Sequence, residues 1–139
     1  MGLPNHKAEV HSSGLQCDIW RTEWTYSDGA GTPSLDTANA EDQAWVDHDP
    51  RLDNTTRLTD QGTGITRVKF PKSRRAAVRH LSLEPATPGT ASNHRHVTVV
   101  GLDASGGTCD VYIVAANGGA LSDPESGSRV RLHLDLEYR

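Results

Sequence analysis

Aromatic residues are scarce in this chain: 5% of 139 positions, with a single phenylalanine, beside a single methionine. Hydrophobic residues together reach only 35%, a supply that excludes a thick core. No run approaches the ~20 consecutive apolar residues of a spanning helix, and no basic-then-apolar start suggests a secretion signal, so a membrane protein is not expected. Lysine and glutamate are also few, with 3 Lys against 11 Arg and 6 Glu against 12 Asp. The motifs of common enzymes are missing: there is no G-x-S-x-G elbow, no phosphate-binding P-loop and no G-x-G-x-x-G. Neither catalytic residues nor a cofactor are expected.

Cysteine is nearly absent. Cys17 and Cys109 match no zinc or redox spacing, and each sits among apolar neighbours in a strand-like segment. Two small buried thiols are expected rather than a disulfide, in keeping with synthesis in a reducing cytosol. The sequon Asn54-Thr55-Thr56 is the single feature that points elsewhere. The formal net charge is −4, from 14 basic and 18 acidic residues, which lacks the basic footprint of a nucleic-acid binder.

What the chain has in quantity is turn chemistry: 13 Gly, 13 Thr, 11 Ser, 12 Asp and 7 Pro. Aspartate favours turns and caps, where its short side chain bonds the nearby backbone. The length suits one domain. Residues 1–14 (MGLPNHKAEVHSSG) lack periodicity and read as an N-terminal arm, which a neighbouring subunit would hold in place. Residues 15–139 then form the domain.

The clearest element is the last. From Arg129 to Arg139, the residues Val130, Leu132, Leu134, Leu136 and Tyr138 alternate strictly with Arg129, Arg131, His133, Asp135, Glu137 and Arg139. A period of two over this length predicts a half-buried strand. Leu15–Tyr26 predicts a first strand, with Leu15, Cys17 and Ile19 on its core face and Trp20, Thr22, Trp24 and Tyr26 on the other. Weaker strand signals lie at Thr55–Thr59, Ile65–Phe70, Ala77–Glu84, His96–Leu102 and Cys109–Ala115, and 27–42 reads as a long loop with a short helical turn near Asp36–Ala44. The regular strand spacing predicts an all-β fold: a single β-sandwich or jelly-roll-like domain carrying the extended arm.

Several residue groups could carry chemistry. His94 and His96 point the same way on a strand, and His80 or His133 could add a third metal ligand. The pair is similar to the first His pair of the cupins, but Val99, Val100, Gly101 and Leu102 stand where cupins place a glutamate, so exposed strand-edge or loop histidines and no metal are expected. Asp47, Asp49, Asp53 and Asn54 lack the glycine and distal glutamate of a calcium loop and read as solvated turn residues. Trp20, Trp24 and Trp45 could form a sugar-stacking platform, as in a secreted carbohydrate-binding module. On a strand, the first two would stand about 13 Å apart. A second small core or a subunit interface is the competing reading.

Charge is segregated along the chain. Residues 36–53 carry Asp36, Glu41, Asp42, Asp47, Asp49 and Asp53 against Arg51 alone, whereas 67–79 carries Arg67, Lys69, Lys72, Arg74, Arg75 and Arg79 with no acidic neighbour. Solvated surface is one reading and complementary contact between protomers, or with a larger acidic surface, is the other. Arg67, Lys69, Lys72, Arg74 and Arg75, with Trp20 and Trp24, are the candidate partner-binding residues.

The arm MGLPNHKAEVHSSG, the stretch VTVVGLDASGGTCDVYIV and the ending SGSRVRLHLDLEYR together resemble the small structural proteins of tailed-bacteriophage virions, most of all capsid decoration (cement) proteins. The resemblance implies a non-enzymatic, β-rich body, often trimeric, that binds the major capsid protein or other virion proteins and clamps the shell. It implies location in the virion after assembly in the host cytoplasm. A tail or neck component would share nearly all of these features.

Overall fold

The computed structural model describes residues 8–10, 16–35, 57–87, 89 and 94–138, and among them there is no helix. Among the described residues nine strands form: β1 (Ala8–Val10), β2 (Gln16–Tyr26), β3 (Pro33–Leu35), β4 (Leu58–Asp60), β5 (Ile65–Lys69), β6 (Arg75–Glu84), β7 (Arg95–Asp103), β8 (Thr108–Ala115) and β9 (Arg129–Glu137). Sheet A has the order β1-β2-β9-β6 with β3 also paired to β2, and sheet B has the order β4-β5-β8-β7. All the pairings are antiparallel. The fold is an all-β sandwich, as the strand spacing predicts.

The alternation expected over Arg129–Arg139 is realised over Arg129–Glu137; Tyr138 lies past the strand end and is half-buried, and Arg139 lies outside the described residues. Val130, Leu132, Leu134 and Leu136 have no exposed surface, and each side chain of this size contributes about 1.5–3 kcal/mol on burial. From sheet B, Val68, Phe70, Cys109, Val111 and Ile113 close over them. Trp20 meets Phe70 across the two layers with ring centroids 6.2 Å apart. The Tyr26 hydroxyl lies 2.7 Å from Thr66 Oγ1 of the opposite sheet, which satisfies two buried polar groups at once.

The faces of β2 are the reverse of the sequence expectation. Register sets Trp20 opposite Leu134, Thr22 opposite Leu132 and Trp24 opposite Val130, so the aromatic side shares the face of the leucine row. Trp20, Trp24 and Tyr26 are buried, while Cys17 and Ile19 look outward and are half-buried. The physical reason is size. Each large aromatic removes about 150–250 Å² from water, far more than a cysteine, and a chain poor in phenylalanine uses its tryptophans to fill the sandwich.

Other boundaries shift. Part of the expected arm is strand: Ala8–Val10 pairs with Gln16–Asp18 of its own chain. The expected loop 27–42 holds β3, where Pro33 takes the first position of a strand, a place that tolerates its missing N–H. The weak candidate at Thr55–Thr59 forms at Leu58–Asp60. The helical turn at Asp36–Ala44, the acidic run 36–53, Trp45 and the sequon at Asn54 lie outside the described residues.

Close approach dictates glycine at position 64. Gly64 has φ +68°, and a Cβ there would stand 2.5 Å from the Ile113 carbonyl oxygen. Its N–H donates to Asp123 Oδ1 at 2.7 Å, and its carbonyl accepts from Ile113 N–H at 2.7 Å. That pins the turn between β4 and β5 to β8 and to the loop before β9.

Neither cysteine is in a disulfide, and their settings differ. Burial, with Asp110 beside it, pushes the Cys109 thiol up to about 12, so almost no thiolate exists at neutral pH. Cys17 is half-buried on the outer face of sheet A. Titration of the folded protein with an aromatic disulfide is expected to modify Cys17 alone, with the second equivalent appearing only in denaturant. Two equivalents released from the native state at equal rates would contradict the placement of Cys109.

Candidate functional site

The long strands of sheet A present their second face to the outside, and there the odd-numbered residues of β2 and β9 meet Arg75 and Ala77 of β6 and, past a bulge between Val78 and His80, His80, Ser82 and Glu84. Glu23 Oε1 accepts a hydrogen bond from Arg129 NH1 at 3.0 Å and lies 3.4 Å from Arg131 Nε. Arg131 NH1 reaches Glu84 Oε2 at 3.1 Å, Arg79 NH1 reaches Asp135 Oδ1 at 3.1 Å, and Arg75 Nε stands 3.8 Å from Glu137 Oε2. Register makes this ladder: Glu23 stands opposite Arg131 and Arg75 opposite Glu137, while the other pairs form between diagonal neighbours on adjacent antiparallel strands. A half-exposed pair of this kind contributes only about 0–1 kcal/mol, so the ladder sets register and surface pattern more than stability.

At the middle of the ladder, Arg21, His133 and His80 lie side by side on β2, β9 and β6. The His80 and His133 rings are 5.1 Å apart and tilted by 40°, and His80 Nε2 is 3.0 Å from Ser82 Oγ. Burial lowers the His133 pKa from the usual histidine value, and the neighbouring His80, Arg21 and Arg79 lower it further, against an opposing pull from Glu23.

Beyond the histidines, the outer face sinks into a groove of about 630 Å³. Cys17 and Ile19 of β2 and Ala77 of β6 give it apolar surface, and Asp135 and Glu137 of the central strand β9 run between them, paired with Arg79 and Arg75 of β6. The groove therefore offers a protein segment an apolar contact and charged partners of either sign.

The sequence candidates are dispersed by the fold. Arg67 and Lys69 lie on the outer face of sheet B, and Arg67 is bonded to Asp110 of β8 at 2.9 and 3.3 Å. Lys72 is exposed in the segment that carries the chain from sheet B to sheet A. Arg74 ends that segment with its N–H bonded to Glu137 O at 2.7 Å, and Arg75 opens β6 and lines the groove. The basic run is thus one continuous patch in sequence and two faces in space, with acidic partners from β8 and β9 that the sequence order conceals.

Trp20 and Trp24 are corrected as partner-binding residues: at 1% and 0% exposure they belong to the core and offer no surface for a partner or for stacking a sugar. His94 and His96 are exposed at the start of β7 in sheet B, whereas His80 and His133 stand on sheet A. Among the described residues, no group of three or more His, Cys, Asp and Glu could hold a metal ion. Asp47, Asp49 and Asp53 lie outside the described residues. The residues that sequence reasoning missed are Arg21, Glu23 and Glu84. The alternation of β9 marks its own outer face, but only the register shows which side chains of β2 and β6 stand beside it.

His133 carries a pH consequence. Its folded pKa is depressed, so as pH falls the unfolded chain takes up the proton first. The associated stability is complete above about pH 6.5 and is lost as pH falls from there through the lowered folded value. His133→Gln is expected to flatten this part of the profile of unfolding midpoint against pH, and an unchanged slope would contradict the assignment.

Comparison of the chain with protein-family models, with curated proteins and with solved structures returned no match in any of the three.

Proposed function

We propose that the protein is a non-enzymatic structural component of a tailed-bacteriophage virion, which binds the capsid shell through subunit contacts and stabilises it. Its partners are the major capsid protein or other virion proteins, and it joins the particle in the host cytoplasm as a homo-oligomer. The observation that carries the reading is the groove on sheet A. Apolar surface from Cys17, Ile19 and Ala77 beside the Arg75–Glu137 and Arg79–Asp135 pairs suits the docking of a protein loop, with apolar burial supplying affinity and the charges fixing register. The exposed Lys72 and the bend at Arg74 adjoin this groove through the backbone bond of Arg74 to Glu137.

Single contacts of this kind are weak. Repetition over many copies on one particle makes them effective, because each further contact forms at a high local concentration. A tail or neck component would use the same chemistry. The sugar-binding reading has lost two of its three tryptophans to the core.

Immunogold labelling of purified virions tests the proposal. Gold is expected over the capsid. Gold confined to the tail or neck would move the protein to the alternative position, and unlabelled virions would overturn the structural role. Lys72→Glu combined with Arg74→Glu is expected to weaken binding to isolated shells at low salt, with the wild-type advantage shrinking as salt screens the contact.

A further inference from the structure

We propose that β6 pairs antiparallel with β6 of a second copy, about a two-fold axis at His80, so that two A sheets join into one continuous sheet. The inference goes beyond the virion reading and stands without it, because it rests on the strand itself. β6 is the end strand of sheet A, ten residues long; among the described residues β9 is the one strand hydrogen-bonded to it, and β7 of sheet B also lies close to it. Such an edge is a template for another strand unless something blunts it. Val78 shows the edge to be open. It sits opposite the fully buried Leu134, on the core face, and is still 43% exposed.

The sequence of β6 fits its own reverse. The bulge between Val78 and His80 takes Arg79 out of the pairing with β9, and the remaining nine positions are centred on His80. Antiparallel self-pairing about that centre places Arg75 opposite Glu84 of the second copy, Ala76 opposite Leu83, Ala77 opposite Ser82 and Val78 opposite Leu81. Each pair shares a face of the sheet: Arg75, Ala77, Ser82 and Glu84 lie outward, and Ala76, Val78, Leu81 and Leu83 lie on the core side. Without the bulge, the odd spacing would set outward residues against inward ones, since a shift of one residue changes the face.

The charges also agree with this register. A row across the junction reads Glu137, Arg75, then Glu84 and Arg129 of the second copy, alternating in sign over four strands. On the core side, Leu136 and Ala76 continue into Leu83 and Val130 of the second copy, and Val78 becomes covered. The residue types are therefore complementary along the whole strand, and a second copy of this chain is the partner that supplies them. A two-fold pairing of this kind closes at two copies.

Sedimentation velocity on the full chain over a concentration series tests the pairing. A monomer–dimer equilibrium is expected. Arg75→Glu and Glu84→Arg each put like charges at both ends of the junction and should weaken self-association about tenfold or more. Mixing the two variants restores opposite charges at both ends and should recover a heterodimer, a result that damage within either chain cannot produce. As an independent readout, His80→Cys in a Cys17→Ser background should form an intermolecular disulfide under mild oxidation, because directly opposed strand residues stand within disulfide reach. A monomer at every concentration, a trimer, a dimer indifferent to both charge reversals, or an oxidised His80→Cys chain that stays monomeric would each overturn the proposal. A dimer that never appears in virions would leave the pairing intact and sink the capsid reading alone.

Discussion

The structure depends on one apolar row, Val130, Leu132, Leu134 and Leu136, held at the centre of sheet A. Because β9 lies between β2 and β6, it is the strand that joins β6 to the rest of sheet A. The contacts it makes with β2 are distant in sequence: Arg129 and Glu23 are 106 positions apart. Such pairing carries a loop-closure cost before it is rewarded, so the fold requires a strong apolar incentive at that strand. Four fully buried side chains in strict alternation provide it, and they also decide that Trp20 and Trp24 point inward.

The same alternation builds the outer face. Every inward leucine of β9 is followed by an outward polar residue, and these are met by the outward residues of β2 and β6. The result is an ion-pair ladder with a histidine pair at its middle and a groove at one end. Core and surface are two readings of one period-two pattern, which is why the groove and the open edge of β6 both border β9 or its neighbour.

The extent to which the sequence discloses this differs by strand. β9 is legible because polar and apolar residues alternate without exception, and the all-β sandwich follows from its companions at regular spacing. β2 is ambiguous because both faces carry apolar residues, so Cys17 and Ile19 look as suitable for the core as Trp20 and Trp24; only the register against β9 separates them. The bulge at Arg79 leaves no local signal, since Ala77, Val78 and Arg79 read as an ordinary strand. The basic run at 67–79 misleads for a geometric reason. The chain crosses from sheet B to sheet A within it, so Arg67 and Arg75 face different surfaces and find acids on β8 and β9. Pairing across sheets is long-range information, and composition or spacing does not contain it.

Hydrogen exchange followed by mass spectrometry tests the central role of β9 most directly. The account predicts that the amides of 130–136 are the last to exchange, together with their partners on β2, and that they do so only through global unfolding. Exchange of β9 as early as the edge strands β6 or β7 would contradict it, because a strand that opens locally cannot be the one on which both sheets depend.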